Sequence, residues 1–117
     1  MTVAEDEFHD AMIRGPKQLS ALGYTPTRFI QMVAEFGGVN AAHALLLGPE
    51  ASDGFTQLWE IGRLGMSVEA TVLLPWFEEL FSREEKANAR RKLEAYGFDV
   101  EGYLATQRLN PPHWSTT

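Results

Sequence analysis

The chain has 117 residues, 44% of them hydrophobic and 22% charged, with 10 Lys and Arg against 16 Asp and Glu for a net charge of −6. A chain of this length hides roughly 65% of the surface its unfolded form exposes, which supports one core without metal or disulfide staples. The absence of cysteine excludes disulfide frameworks, thiolate zinc sites, iron–sulfur ligation and thiol nucleophiles, and the acidic balance makes the average surface repel phosphate and anionic lipid.

No apolar run approaches the ~20 residues of a membrane span, and the stretch Met1 to Asp10 is acidic where a secretory signal is basic, so the expectation is a soluble, cytoplasmic protein. Helix-period segments alternate with turn signals, and period-2 alternation is almost missing. The fold expected is all-α: a compact single-domain bundle of about five to seven short helices, with the helical domain at 1–98 (core about 7–98) and a short C-terminal helix and tail at 99–117.

In chain order, Ala4 to Leu22 places Phe8, Met12 and Leu19 or Leu22 at near-helical spacing, but Gly15-Pro16 interrupts it and predicts two short helices or a kink. Thr25 is the predicted N-cap and Pro26 the first residue of a helix whose apolar face is Phe29, Ile30, Val33 and Phe36. Gly37 and Gly38 end it. Val39 to Leu47 is apolar nearly all round and predicts a helix at the centre of the core, stopped by Gly48 and Pro49. Ser52 and Asp53 cap the next helix, with Phe55, Leu58, Trp59 and Ile61, which ends near Gly62 or Gly65. Ser67 opens Val68 to Leu74, and Pro75 starts a turn with Trp76, Phe77, Leu80 and Phe81. Ser82 followed by Glu85 is a capping box heading a helix that runs to Tyr96 and closes at Gly97. Asp99 caps Val100 to Arg108, and Asn110 to Thr117 reads as a tail unless Trp114 docks on the body.

Chemistry-bearing constellations are sparse. Glu5, His9 and Asp10 offer an imidazole beside carboxylates, but His43 and His113 are remote and His-Glu-x-x-His spacing is missing; a solvated acidic face explains them, and neither metal nor cofactor is expected. Ser52, Ser67 and Ser82 all stand where helices begin, and capping accounts for each without nucleophilic chemistry. Gly62-Arg63-Leu64-Gly65 lacks phosphate-cradle spacing. Val33 to Leu47 approximates a helix-turn-helix, but its second helix presents only Asn40 and His43, so a buried helical hairpin fits better.

Two clusters carry the functional expectations. Arg83, Lys86, Arg90, Arg91 and Lys92 concentrate positive charge on one helix, interleaved with Glu84, Glu85 and Glu94; of these, Arg83, Lys86, Arg90 and Arg91 are the candidate phosphate contacts. Glu60, Arg63 and Glu69 lie inside an otherwise core-like stretch between Trp59 and Trp76. Either Glu60 or Glu69 holds Arg63 and fixes the turn, or the trio and the two tryptophans form a recognition patch.

Glu7-Phe8, Ala11-Met12, Gly23-Tyr24, Thr27-Arg28-Phe29, Gly37-Gly38, Ser52-Asp53-Gly54-Phe55, Leu58-Trp59-Glu60-x-Gly62-Arg63-Leu64, Ser67-Val68-Glu69-Ala70, Leu80-Phe81, Ala89-Arg90-Arg91-x-Leu93 and Tyr96-Gly97 form a distinctive pattern. From Glu7 to Phe98 the chain resembles a family of small, functionally uncharacterised bacterial helical proteins. That resemblance implies a stand-alone cytoplasmic domain, sometimes accompanying restriction- or defence-type proteins. The chain departs from it at Gly15-Pro16 and at Gly65, where the pattern carries Asp.

The function expected is a non-catalytic protein-interaction or accessory module with a protein partner and no membrane. The alternative is a nucleic-acid-associated accessory working through the basic helix 83–92. A third reading is a small hydrolase using Glu60, Glu69 or His43.

Overall fold

The computed structural model describes residues 2–48 and 52–115, and these are all-helical, with seven α-helices, three 3-10 turns and no strand. Pro49, Thr116 and Thr117, to which the sequence assigns a helix stop and the end of the tail, lie outside the described residues.

Helix α1 runs undivided from Val3 to Ala21, which corrects the expected break at Gly15-Pro16. Proline removes one helical hydrogen bond and disfavours helical geometry in the residue before it, through the clash of its Cδ with that residue's Cβ. Gly15 has no Cβ, so that clash is relieved. Pro16 is buried in register with Phe8, Met12 and Leu19, and this tertiary burial offsets the lost bond. At its start, Thr2 Oγ1 accepts from the Glu5 backbone N–H at 3.1 Å while the Thr2 N–H donates to Glu5 Oε1, a capping box.

Helix α2 (Thr27–Phe36) begins later than Thr25-Pro26 suggests: Pro26 is the cap residue, and Thr25 Oγ1 pairs with Ser20 Oγ at 3.1 Å instead of capping. Val33 is its only fully buried residue, Phe29 is half-buried, and Ile30 and Phe36 stay exposed. A single residue, Gly37 at φ +87°, joins α2 to α3 (Gly38–Leu46), a corner that a residue with a Cβ enters only at a cost. Gly38 itself lies so close to α1 that an added Cβ would stand 2.7 Å from His9 Cα. The composition of α3 suggested burial all round, but only Gly38, Ala41, Ala42 and Leu46 are buried and Leu47 is 80% exposed. Its small residues let α1 and α2 approach, α6 packs along it as well, and Asn40, Ala44 and Leu47 are left to solvent.

The remaining elements follow their local signals. Ser52 Oγ caps α4 (Asp53–Glu60) by accepting from the Phe55 N–H, and Gly62 at φ +71° ends the turn after it. A 3-10 turn at Leu64–Met66 leads to Ser67, whose Oγ accepts from the Ala70 N–H to cap α5 (Val68–Val72). Pro75 starts a second 3-10 turn, Pro75–Leu80. Helix α6 (Arg83–Ala95) carries the full Ser82–Glu85 capping box, and Asp99 Oδ1 caps α7 (Val100–Arg108). A last 3-10 turn, His113–Ser115, sets the Trp114 ring 5.7 Å from that of Phe77, so the segment docks on the body.

Phe8 stands at the centre of the core, fully buried, edge-on to Phe77 at 5.1 Å and 5.0 Å from Phe81. Val100 and Leu104 of α7 belong to the same core as α1 to α6. The Cα radius of gyration, 13.3 Å, is close to the ~13 Å expected of a compact domain of this length. Among the described residues no helix is long and apolar enough to cross a membrane.

Candidate binding groove

A groove of about 1010 Å³ is bounded by α1, α2, α4, α5 and the C-terminal turn. Gly15, Gly48, Gly54 and Gly65 on its walls supply no side chain to fill it. Met12, Met32 and Met66, the three methionines among the described residues, all line it, together with Phe29, Phe55, Trp76, Phe77 and Trp114. Methionine is unbranched and polarizable, so it remoulds around different apolar shapes, and aromatic rings offer large contact area at low entropic cost.

Glu69 also lines this groove, and it is only 1% exposed. Its partner is Lys92 on α6, itself 5% exposed, with Nζ 3.8 Å from Oε2. Glu69 Oε2 is the only buried side-chain polar atom among the described residues without a hydrogen bond. Burial pushes the Glu69 carboxyl above the ordinary carboxylate range, while its own backbone N–H and the Lys92 charge pull the other way without cancelling the shift.

The five residues of the proposed patch are distributed differently from the sequence reading. Arg63 holds neither Glu60 nor Glu69: Glu60 and Arg63 are exposed and ion-pair with nothing among the described residues, while Glu69 turns to Lys92. Trp59 is 50% exposed at the end of α4, edge-on to Tyr96 at 5.4 Å. Trp76 is half-buried on the groove wall. Gly65, where the resembled pattern has Asp, sits beneath Tyr103 and Phe98, so a carboxylate would be set against two rings.

The basic helix is also partly committed. Arg90 donates to Glu94 and to Glu101, the latter at 2.5 Å, and its bond to Glu101 is the largest reason its guanidinium holds the proton more tightly than usual. Lys92 is buried with Glu69, Arg91 donates to Asn88 Oδ1, and Lys86 Nζ reaches the Glu78 carbonyl at 3.5 Å. Arg83 is exposed.

Two histidines have structural partners that sequence spacing did not indicate. His9 Nδ1 accepts from the Gly38 N–H at 2.8 Å, satisfying an otherwise orphaned donor at the start of α3. His43 Nδ1 meets Glu85 Oε2 at 2.5 Å, while Glu85 Oε1 accepts from the Ser82 N–H. One turn along α6, Asn88 Nδ2 donates to the Leu46 carbonyl at 2.7 Å and closes the C-terminus of α3. The hydrolase candidates have separate partners: His43 is engaged with Glu85, Glu69 with Lys92, and Glu60 ion-pairs with nothing among the described residues. No group of three His, Asp or Glu among the described residues is placed to hold a metal ion.

No protein-family model, curated protein or solved structure matches this chain.

Proposed function

We propose that the chain is a helical protein-interaction module and that the Met- and aromatic-lined groove is its working face, taking an apolar α-helical segment of a protein partner. The observation that carries this reading is the convergence of half-buried Met32, Met66, Tyr24, Phe29, Trp76 and Trp114 on one groove of about 1010 Å³, whose lining also includes the buried core side chains Met12, Phe55 and Phe77. Scattered apolar surface is ordinary, whereas a contiguous, adaptable apolar groove is the usual receptor for an amphipathic helix. Trp76 and Glu69 of the sequence-derived patch belong to this groove; Trp59, Glu60 and Arg63 are left as exposed surface. The nucleic-acid alternative loses support because Arg90 and Lys92 are already paired with carboxylates.

Selection from a displayed library of random helical peptides tests the reading. Enriched peptides are expected to carry apolar residues at i, i+3, i+4 and i+7 and to lose binding to Met32→Glu, which places a charge on the groove wall. No enrichment, or enriched peptides indifferent to that change, would rule the groove out as the working face.

A further inference from the structure

Arg14 on α1 and Arg28 on α2 both line the groove and are exposed, and neither makes an ion pair or side-chain hydrogen bond among the described residues. Lys86, Arg90, Arg91 and Lys92 each have a partner, and Lys17, Arg63, Arg83 and Arg108, unpaired among the described residues like Arg14 and Arg28, do not line the groove. With 16 carboxylates in the chain, internal partners are plentiful, and these two guanidinium groups take none. The acidic residues among the described residues of the lining are Glu7 and Glu69. Glu69 is committed to Lys92, so among the described residues Glu7 is the one uncommitted carboxylate of the lining set against the two arginines.

We propose that the segment received by the groove is an acidic amphipathic helix, its apolar side on the methionines and its flanking carboxylates on Arg14 and Arg28. This inference rests on the groove reading above and adds the sign of the partner's charge. Arginine presents a planar fork of donors that a carboxylate matches with two parallel bonds, so a Glu- or Asp-flanked helix gains where a Lys-flanked one is repelled. Because the contact is at an exposed rim, it acts on partner choice and association rate and weakens with salt.

Three labelled synthetic helices of about sixteen residues, with one leucine stripe and Glu, Gln or Lys flanks, test this by fluorescence anisotropy against the full chain. At about 50 mM salt the Glu peptide is expected to bind at least about tenfold more tightly than the Lys peptide, with the gap shrinking as salt rises. In the Arg14→Gln/Arg28→Gln double variant the Glu and Lys peptides should bind alike; both sites are exposed, so the fold is left intact. Equal binding of all three peptides, abolished by Met32→Glu, would overturn the charge assignment and leave the groove reading standing. A Glu preference that survives the double variant would overturn it too. No binding by any peptide would overturn both, as would sedimentation of the protein as a dimer that Met32→Glu dissolves, because the groove would then be filled by a second copy.

Discussion

Glu69 and Lys92 are side chains that water solvates well, and burial makes each depend on the other for its charge. Removing one partner of a buried pair leaves an uncompensated ion, which costs about 3–5 kcal/mol, whereas replacing both with apolar groups of similar volume is often neutral or stabilising. Lys92→Met is therefore expected to lower unfolding free energy by roughly 3 kcal/mol, and Glu69→Met/Lys92→Met to return it to within about 1 kcal/mol of the parent, as read by urea titration. A double variant as unstable as the single one would mean that the polar atoms serve the core in some other way. Because burial raises the folded-state pKa of Glu69, its contribution to stability is fully present below the ordinary value of 4.5 and is lost as pH rises through the raised folded value.

The seam between α3 and α6 shows how a local device becomes a tertiary one. Glu85 closes the capping box of its own helix with Oε1 and grips His43 of α3 with Oε2, while Asn88, one turn on, donates to the Leu46 carbonyl at the end of α3 and to that of Gly48 beyond it. Burial raises the pKa of Glu85, but the Ser82 backbone N–H, the His43 bond and charge, and the Ser82 hydroxyl together outweigh it and hold the carboxyl below its ordinary 4.5. In this case the sign is opposite to that of Glu69: the unfolded chain takes the proton first, so the stabilisation present above pH 4.5 is lost as pH falls through the lowered folded value. Glu85→Gln is expected to cost about 1 kcal/mol near pH 7 and to flatten the decline in stability below 4.5. Thermal unfolding across that range measures both, and an unchanged acid limb would show that Glu85 does not control it.

Over the whole molecule, one core built on Phe8 and Phe77 is shared by every helix from α1 to α7 except α2's outer face, and the groove forms where glycine-lined walls leave that packing incomplete. Trp114 closes one end by resting on Phe77, so Trp114→Ala should uncover that ring at a cost of about 1–2 kcal/mol and change peptide affinity at the groove as well. Stability lost with no change in affinity would separate the C-terminal turn from the binding face. The all-α class and most helix starts were legible in the sequence, through Ser52, Ser67, Ser82 with Glu85, and Asp99, because a cap is completed by atoms within a few residues of itself. Pro16 was misread for the complementary reason: its local penalty is real, and only burial beside Phe8, Met12 and Leu19 outweighs it. Charge partners and the groove were not legible. Glu69 finds Lys92, His43 finds Glu85, and three methionines far apart in the chain line one groove. Where helices cross is set by many small packing contributions summed over the whole core, which no local window of sequence contains.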